Sequence, residues 1–168
     1  AALAGLISQP QSLPSTPLVN RNIQGYRETG IFRNRLQLNE IATEGITILE
    51  TRSPNVTVRD ALTTDMTNVL TREPTVTFII DFVQRQTRTV LNRFVGRPYV
   101  NTILGEIQTV FSAFLSELQV AGIIRDYRNI EVREHPTDPT IVEVFAEYAP
   151  VLPIKYVFVT YRIRGTLG

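Results

Sequence analysis

The chain has 168 residues, 43% of them hydrophobic and 20% charged, the composition of one ordinary folded domain, which excludes a disordered tail or a collagen. Lys and Arg number 17 against 16 Asp and Glu, a net charge of +1, so the field of the whole molecule gives no reason to expect non-specific nucleic-acid or membrane affinity. Cysteine is absent and His135 is the one histidine, which removes disulfides, thiolate nucleophiles and cysteine metal sites and routes any Ser-His-Asp triad through His135. No hydrophobic run approaches the roughly 20 residues that span a bilayer as a helix. The start, Ala1-Ala2-Leu3-Ala4-Gly5, has neither a methionine nor a basic leader, and reads as a cut within something longer.

A short apolar start leads into Gln9–Pro17, QPQSLPSTP, whose three prolines and lack of periodicity predict a linker. Ile31, Leu36, Leu38 and Ile41 stand among polar neighbours, and Leu38–Ala42 is expected to be one short helix ending near Gly45. Ile46-Thr47-Ile48-Leu49-Glu50 and Val56-Thr57-Val58-Arg59, separated by Ser53-Pro54-Asn55, predict a hairpin.

From Thr75 to Val95 the apolar residues Val76, Ile79, Phe82, Val83, Val90, Leu91 and Phe94 recur at helical steps, with Pro74 at the start and Gly96 and Pro98 at the end. A second amphipathic helix is expected from about Tyr99 to Ala121 on Ile103, Ile107, Val110, Phe111, Phe114, Leu115 and Leu118, stopped by Gly122. Tyr127–Glu134 and Thr140–Tyr148 then predict a second hairpin around the turn His135–Pro139. Beyond Pro150 and Pro153, Ile154–Ile163 is nearly all β-branched or aromatic, the strongest strand signal in the chain. Its residues fit either the closing strand of the domain's own sheet or a free arm that pairs with a neighbour's sheet edge.

Chemistry finds little support. His135 lies beside Glu134 and Asp138, but such residues commonly build turns. Glu131 and Glu134, three apart on a strand, point to opposite faces and cannot work as an acid–base pair. Asp81 and Arg85, at i,i+4, read as a surface ion pair. No phosphate loop, HExxH or GxSxG pattern occurs. Catalytic, cofactor and metal residues are therefore expected to be absent. Sixteen of the 17 basic residues are arginines, Lys155 being the one lysine; arginine suits protein interfaces and nucleic acid, and equally reflects a genomic composition bias. Arg85, Arg88 and Arg93 form a basic strip, a solvated face or a surface for an acidic partner, without the interleaved aromatics that a single-strand nucleic-acid site uses.

The order of AALAGLI, the Pro-rich stretch, Leu38–Ile46 (LNEIATEGI), Val58–Asp65 (VRDALTTD), two long helices of which the second ends LQVAGII, a hairpin and a final apolar strand resembles the C-terminal part of contractile tail sheath proteins of tailed bacteriophages, relatives of type VI secretion and contractile bacteriocin sheaths. The resemblance implies an α/β (α+β) domain over residues 1–150, with two long helices on a small, mainly antiparallel sheet completed by strands from neighbouring subunits, and a linker and donated strand over 151–168. It implies a structural, non-enzymatic virion protein, assembled in the host cytoplasm, whose copies polymerise around an inner tube and contract to drive it through an envelope. Its partners would be other sheath subunits, the tube protein, and baseplate and tail terminator proteins, with no nucleic acid and no membrane insertion. The donated strand would carry Ile154, Tyr156, Val157, Phe158, Val159, Tyr161 and Ile163, with Pro150 and Pro153 as its hinge and Arg85, Arg88 and Arg93 facing the tube or a neighbouring subunit. The rival expectations are a baseplate or sheath-terminating protein, an arginine-using nucleic-acid-binding α+β module, and an enzyme acting through His135.

Overall fold

A computed structural model describes residues 2–8, 13–31, 33–52, 54–100, 102–155 and 157–160. The elements are α1 (Ala2–Ser8), β1 (Asn22–Ile23), α2 (Arg35–Thr43), β2 (Ile48–Arg52), β3 (Asn55–Asp60), α3 (Pro74–Asn92), α4 (Ile103–Val120), β4 (Ile124–Glu134) and β5 (Val142–Pro150). They form a mixed helix and antiparallel-sheet fold with two sheets: three strands in the order β1-β3-β2, and the ribbon β4-β5. The first hairpin expected from the sequence gains β1 as a third strand, so the sheet structure is larger than the single second hairpin.

Apolar spacing explains the helices. Val76, Ile79 and Val83 bury one side of α3, while Phe111, Phe114, Leu115 and Leu118 bury one side of α4. With Ile123 and Ile124, all of these but Val76 make a core on which Tyr127, Ile130, Val144, Ala146 and Tyr148 of the ribbon pack. Tyr127 and Ile130 are an odd three residues apart, yet both face this core. A bulge between Arg128 and Glu131, with Asn129 in the left-handed region (φ 54°), inserts the residue that makes this spacing work. Across the ribbon, Arg128 Nε donates to Glu147 Oε2 at 2.8 Å and Arg133 Nε to Glu143 Oε2 at 3.0 Å, each pair directly opposite in register.

A second core joins Leu6 of α1, Leu18, Ile23, Val56, Val58 and Ala61, and Phe78 of α3 packs against it, so α3 touches both. Helix α2 opens on a capping box in which Asn34 Oδ1 accepts from the Gln37 amide at 2.9 Å and Gln37 Oε1 accepts from the Asn34 amide at 3.1 Å. After α2 the chain turns through Gly45 (φ +73°), where an added Cβ would stand 2.5 Å from the Thr63 carbonyl oxygen. Next door, the Thr47 hydroxyl donates to the Leu62 carbonyl at 3.0 Å and accepts from the Leu62 amide at 3.2 Å. The segments Leu38–Ile46 and Val58–Asp65, separate in sequence, are therefore one packed junction.

Candidate functional site

The ribbon β4-β5 and the chain that follows it carry the features most suited to assembly. Neither strand has a second strand neighbour among the described residues, so the outer edge of each offers backbone donors and acceptors that another strand can take. The inner face sits on α3 and α4. Beside it, a groove of about 570 Å³ opens between the α3–α4 corner and the ribbon tip, lined by Leu91, Phe94, Ile103, Ile107, Val142 and Val144 among others.

Of the residues expected in the terminal strand, Ile154, Val157, Phe158 and Val159 are described, and Tyr156, Tyr161 and Ile163 lie outside the described residues. The described ones belong to no strand of the domain's own sheets. Ile154 is 83%, Val157 78%, Phe158 92% and Val159 63% exposed. Strand propensity expresses fit to a pleated, half-buried surface, and among the described residues neither sheet takes in 154–155 or 157–160.

Pro150 is the last residue of β5, opposite Ile124, and the Val151 amide donates to the Ile123 carbonyl at 3.4 Å. A proline at a strand end removes no ladder donor from the interior. Pro153 is half-buried. Further on, Lys155 Nζ meets Oε1 of Glu73, the residue before Pro74 at the start of α3. Sequence reasoning found no role for either residue, because an ion pair between positions so far apart leaves no periodic trace.

Arg85, Arg88 and Arg93 are all exposed. Arg85 Nε donates to the Asp81 carbonyl oxygen at 3.3 Å rather than pairing with its carboxylate, and Arg93 and Arg97 lie 5.2 and 5.5 Å from the Phe94 ring centre. Arg97 also pairs with Glu106 at 3.3 Å. Arg93 and Arg97 thus flank Phe94 in an aromatic–basic corner just past the end of α3, with Arg85 and Arg88 further up the helix.

His135 takes part in its turn: Nδ1 lies 3.1 Å from the Thr137 hydroxyl, and Nε2 lies 3.9 Å from Glu143 Oε1. The Asp138 carboxylate accepts from the Thr140 hydroxyl and amide, which holds its pKa below the ordinary 3.8. Glu131 lies 3.7 Å from Arg133, while the nearby Glu134 carboxylate pushes the Tyr99 hydroxyl above its ordinary 10. Each of these side chains is engaged in local structure, and no group of three or more His, Asp or Glu suited to a metal occurs among the described residues. No helix among them is long and apolar enough to cross a membrane.

No protein-family profile matches the chain. Over 171 aligned residues it is 29% identical to the tail sheath protein of Mycobacterium phage Bxz1, covering 100% of this chain and 29% of that protein. The chain is similar to contractile tail sheath proteins. Its backbone agrees with the helical sheath of the anti-feeding prophage in the contracted state at a TM-score of 0.77, with 15% identity, covering 96% of this chain and 48% of that one. A chain of the anti-feeding prophage baseplate gives the same TM-score of 0.77 at 16% identity, covering 90% of this chain and 45% of that one. The likeness to the two solved structures is one of fold, and the mixed helix and antiparallel-sheet fold is that of a sheath domain. The chain spans 29% of the length of the curated sheath protein it matches.

Proposed function

We propose that this chain is the inner, C-terminal part of a contractile tail sheath subunit, a mechanical rather than a catalytic component. The observation that carries the reading is the match to a tail sheath protein along the full length of the chain. The sheath fold supports it, and so does the pairing of an exposed apolar segment with a ribbon that has open edges.

In this reading residues 1–150 form the body and 151–168 the arm. The arm of one copy lies along a ribbon edge of the next. Backbone hydrogen bonds hold the copies together, and they bend without breaking when subunits rotate and slide between an extended and a contracted lattice. Tyr156, Phe158, Val157 and Val159 then supply two apolar faces to the shared sheet. The basic strip Arg85, Arg88 and Arg93 faces the inner tube or an adjacent subunit. Partners are further copies, the tube, and baseplate and terminator proteins, and the place of action is the virion tail, assembled in the host cytoplasm.

A second reading, a baseplate or sheath-terminating subunit, draws on the equal backbone likeness to a chain of the anti-feeding prophage baseplate. Light scattering on the full chain and on a chain ending at Lys155 tests the first reading. Oligomers or filaments from the full chain and a folded monomer from the shorter one are expected. Equal monomers, or a shorter chain that unfolds, would assign the terminal segment to its own domain. Closed rings that never lengthen would favour the second reading.

A further inference from the structure

Glu73 is the one charged residue in the buried set of the described residues, 3% exposed. A buried carboxylate is tolerated when a cation accompanies it. Two cations do so here. Arg72 Nε stands 3.9 Å from Oε1 on a side chain that is 39% exposed, and Lys155 Nζ meets the same oxygen on a side chain that is 16% exposed. Lys155 arrives there from a segment held at its other end by the ribbon, through Pro150 opposite Ile124 and the Val151 amide on the Ile123 carbonyl. After Lys155 the described residues 157–160 are all exposed.

We propose that the Lys155–Glu73 ion pair is the anchor that fixes where the C-terminal segment leaves the domain, so that the segment pivots after Lys155 and not at Pro150 or Pro153. The function of the anchor rests on the reading of that segment as a donated strand. Glu73 directly precedes Pro74, Thr75 and Val76, of which the last two are buried. A pull on the arm therefore enters the domain at the N-terminal end of α3, the helix that touches both cores. Withdrawing Lys155 would leave a buried carboxylate with only the half-exposed Arg72 beside it, and this cost keeps the pivot in place.

Hydrogen–deuterium exchange of the full chain, read by mass spectrometry, tests the anchor. At a dilution where light scattering gives a monomer, so that no neighbour's sheet covers 157–160, the amides of residues 151–155 of the unaltered chain, with that of Val151 bonded to the Ile123 carbonyl, are expected to exchange at least about tenfold more slowly than those of 157–160. Lys155→Arg keeps the charge and should keep that difference. The double variant Glu73→Gln/Lys155→Met removes both charges without stranding either, and should bring 151–155 to the rate of 157–160 while the amides of α3 and α4 hold theirs. The single variant Lys155→Met should in addition loosen the first turn of α3. Fast exchange at 151–155 in the unaltered chain, or slow exchange there in the double variant, would overturn the anchor. Light scattering over a range of concentration separates the two readings. A chain that stays a monomer at every concentration while its 151–155 amides respond as described refutes the donated strand and keeps the anchor. Oligomers whose double variant leaves 151–155 unchanged refute the anchor and keep the strand.

Discussion

Replacing Gly45 by alanine probes the junction where two separate sequence segments meet. The residue sits at φ +73°, and a Cβ there would meet the Thr63 carbonyl oxygen at 2.5 Å and the Thr64 Cα and Met66 Cγ at 3.2 Å. The left-handed backbone alone costs an L-residue about 1–2 kcal/mol. Crowding a backbone carbonyl that cannot rotate away adds about 1–3 kcal/mol, as for other overpacked sites. Gly122 provides the control, since its φ is +69° and nothing lies within 4 Å of the added Cβ. Urea unfolding followed by circular dichroism should therefore give a loss of about 1–2 kcal/mol for Gly122→Ala and about 2–5 kcal/mol for Gly45→Ala. That is a large share of a domain stability of about 5–15 kcal/mol. Equal losses for the two variants would refute the close approach and leave only the backbone conformation as the reason for glycine.

Three other perturbations test neighbouring parts of the account. Thr47→Val keeps the shape but leaves the Leu62 amide without the hydroxyl that accepts from it, and a loss of about 1–3 kcal/mol in the same urea assay is expected. Leu115→Ala empties the centre of the α3–α4–ribbon core, where Leu115 is fully buried, and should cost about 3–5 kcal/mol with no change in the denaturant slope. The Glu147 carboxyl is held below 4.5, chiefly because it accepts from Arg128. Its contribution to stability is thus present above 4.5 and lost as pH falls through the lower folded value. In an NMR titration, Arg128→Ala should move the Glu147 midpoint up toward 4.5, and an unmoved midpoint would refute the cross-strand pair.

The long helices were legible because seven or so apolar residues recurring at steps of three and four determine a buried face with little help from elsewhere. The observed α3 and α4 start and stop within a few residues of Pro74, Gly96 and Gly122, where proline and glycine act locally. The ribbon was legible from its alternation. Its bulge was signalled only by the spacing of Tyr127 and Ile130, which a regular strand cannot place on one face. Helix α1 and strand β1, with seven and two residues, are too short to show a period and owe their form to the core around Leu6 and Ile23. The Gly45–Thr63 contact, the Thr47–Leu62 bonds and the Lys155–Glu73 pair join distant positions, and single-chain patterning is blind to them.

The segment after Pro150 marks a different limit. Its β-branched and aromatic residues state a preference for a sheet, while the domain's own strands leave Ile154, Val157, Phe158 and Val159 at the surface. Propensity names the kind of neighbour a segment wants and not the molecule that supplies it. His135, Glu131 and Glu134 illustrate the reverse case. Residue types that suggest chemistry serve here as turn and ribbon partners, to Thr137, Arg133 and Tyr99 respectively.

Because the chain has no cysteine, introduced cysteines report contacts between copies without background. Val157→Cys in one copy would be mixed with an isotopically labelled copy carrying Glu131→Cys on β4 or Phe145→Cys on β5, then mildly oxidised and analysed by mass spectrometry. Adjacent strands lie about 4.8 Å apart, within the Cα separation that a disulfide spans. A disulfide that joins a labelled to an unlabelled copy at one of the two ribbon edges is expected. Oligomers that form without a bridge at either edge would contradict the donated strand.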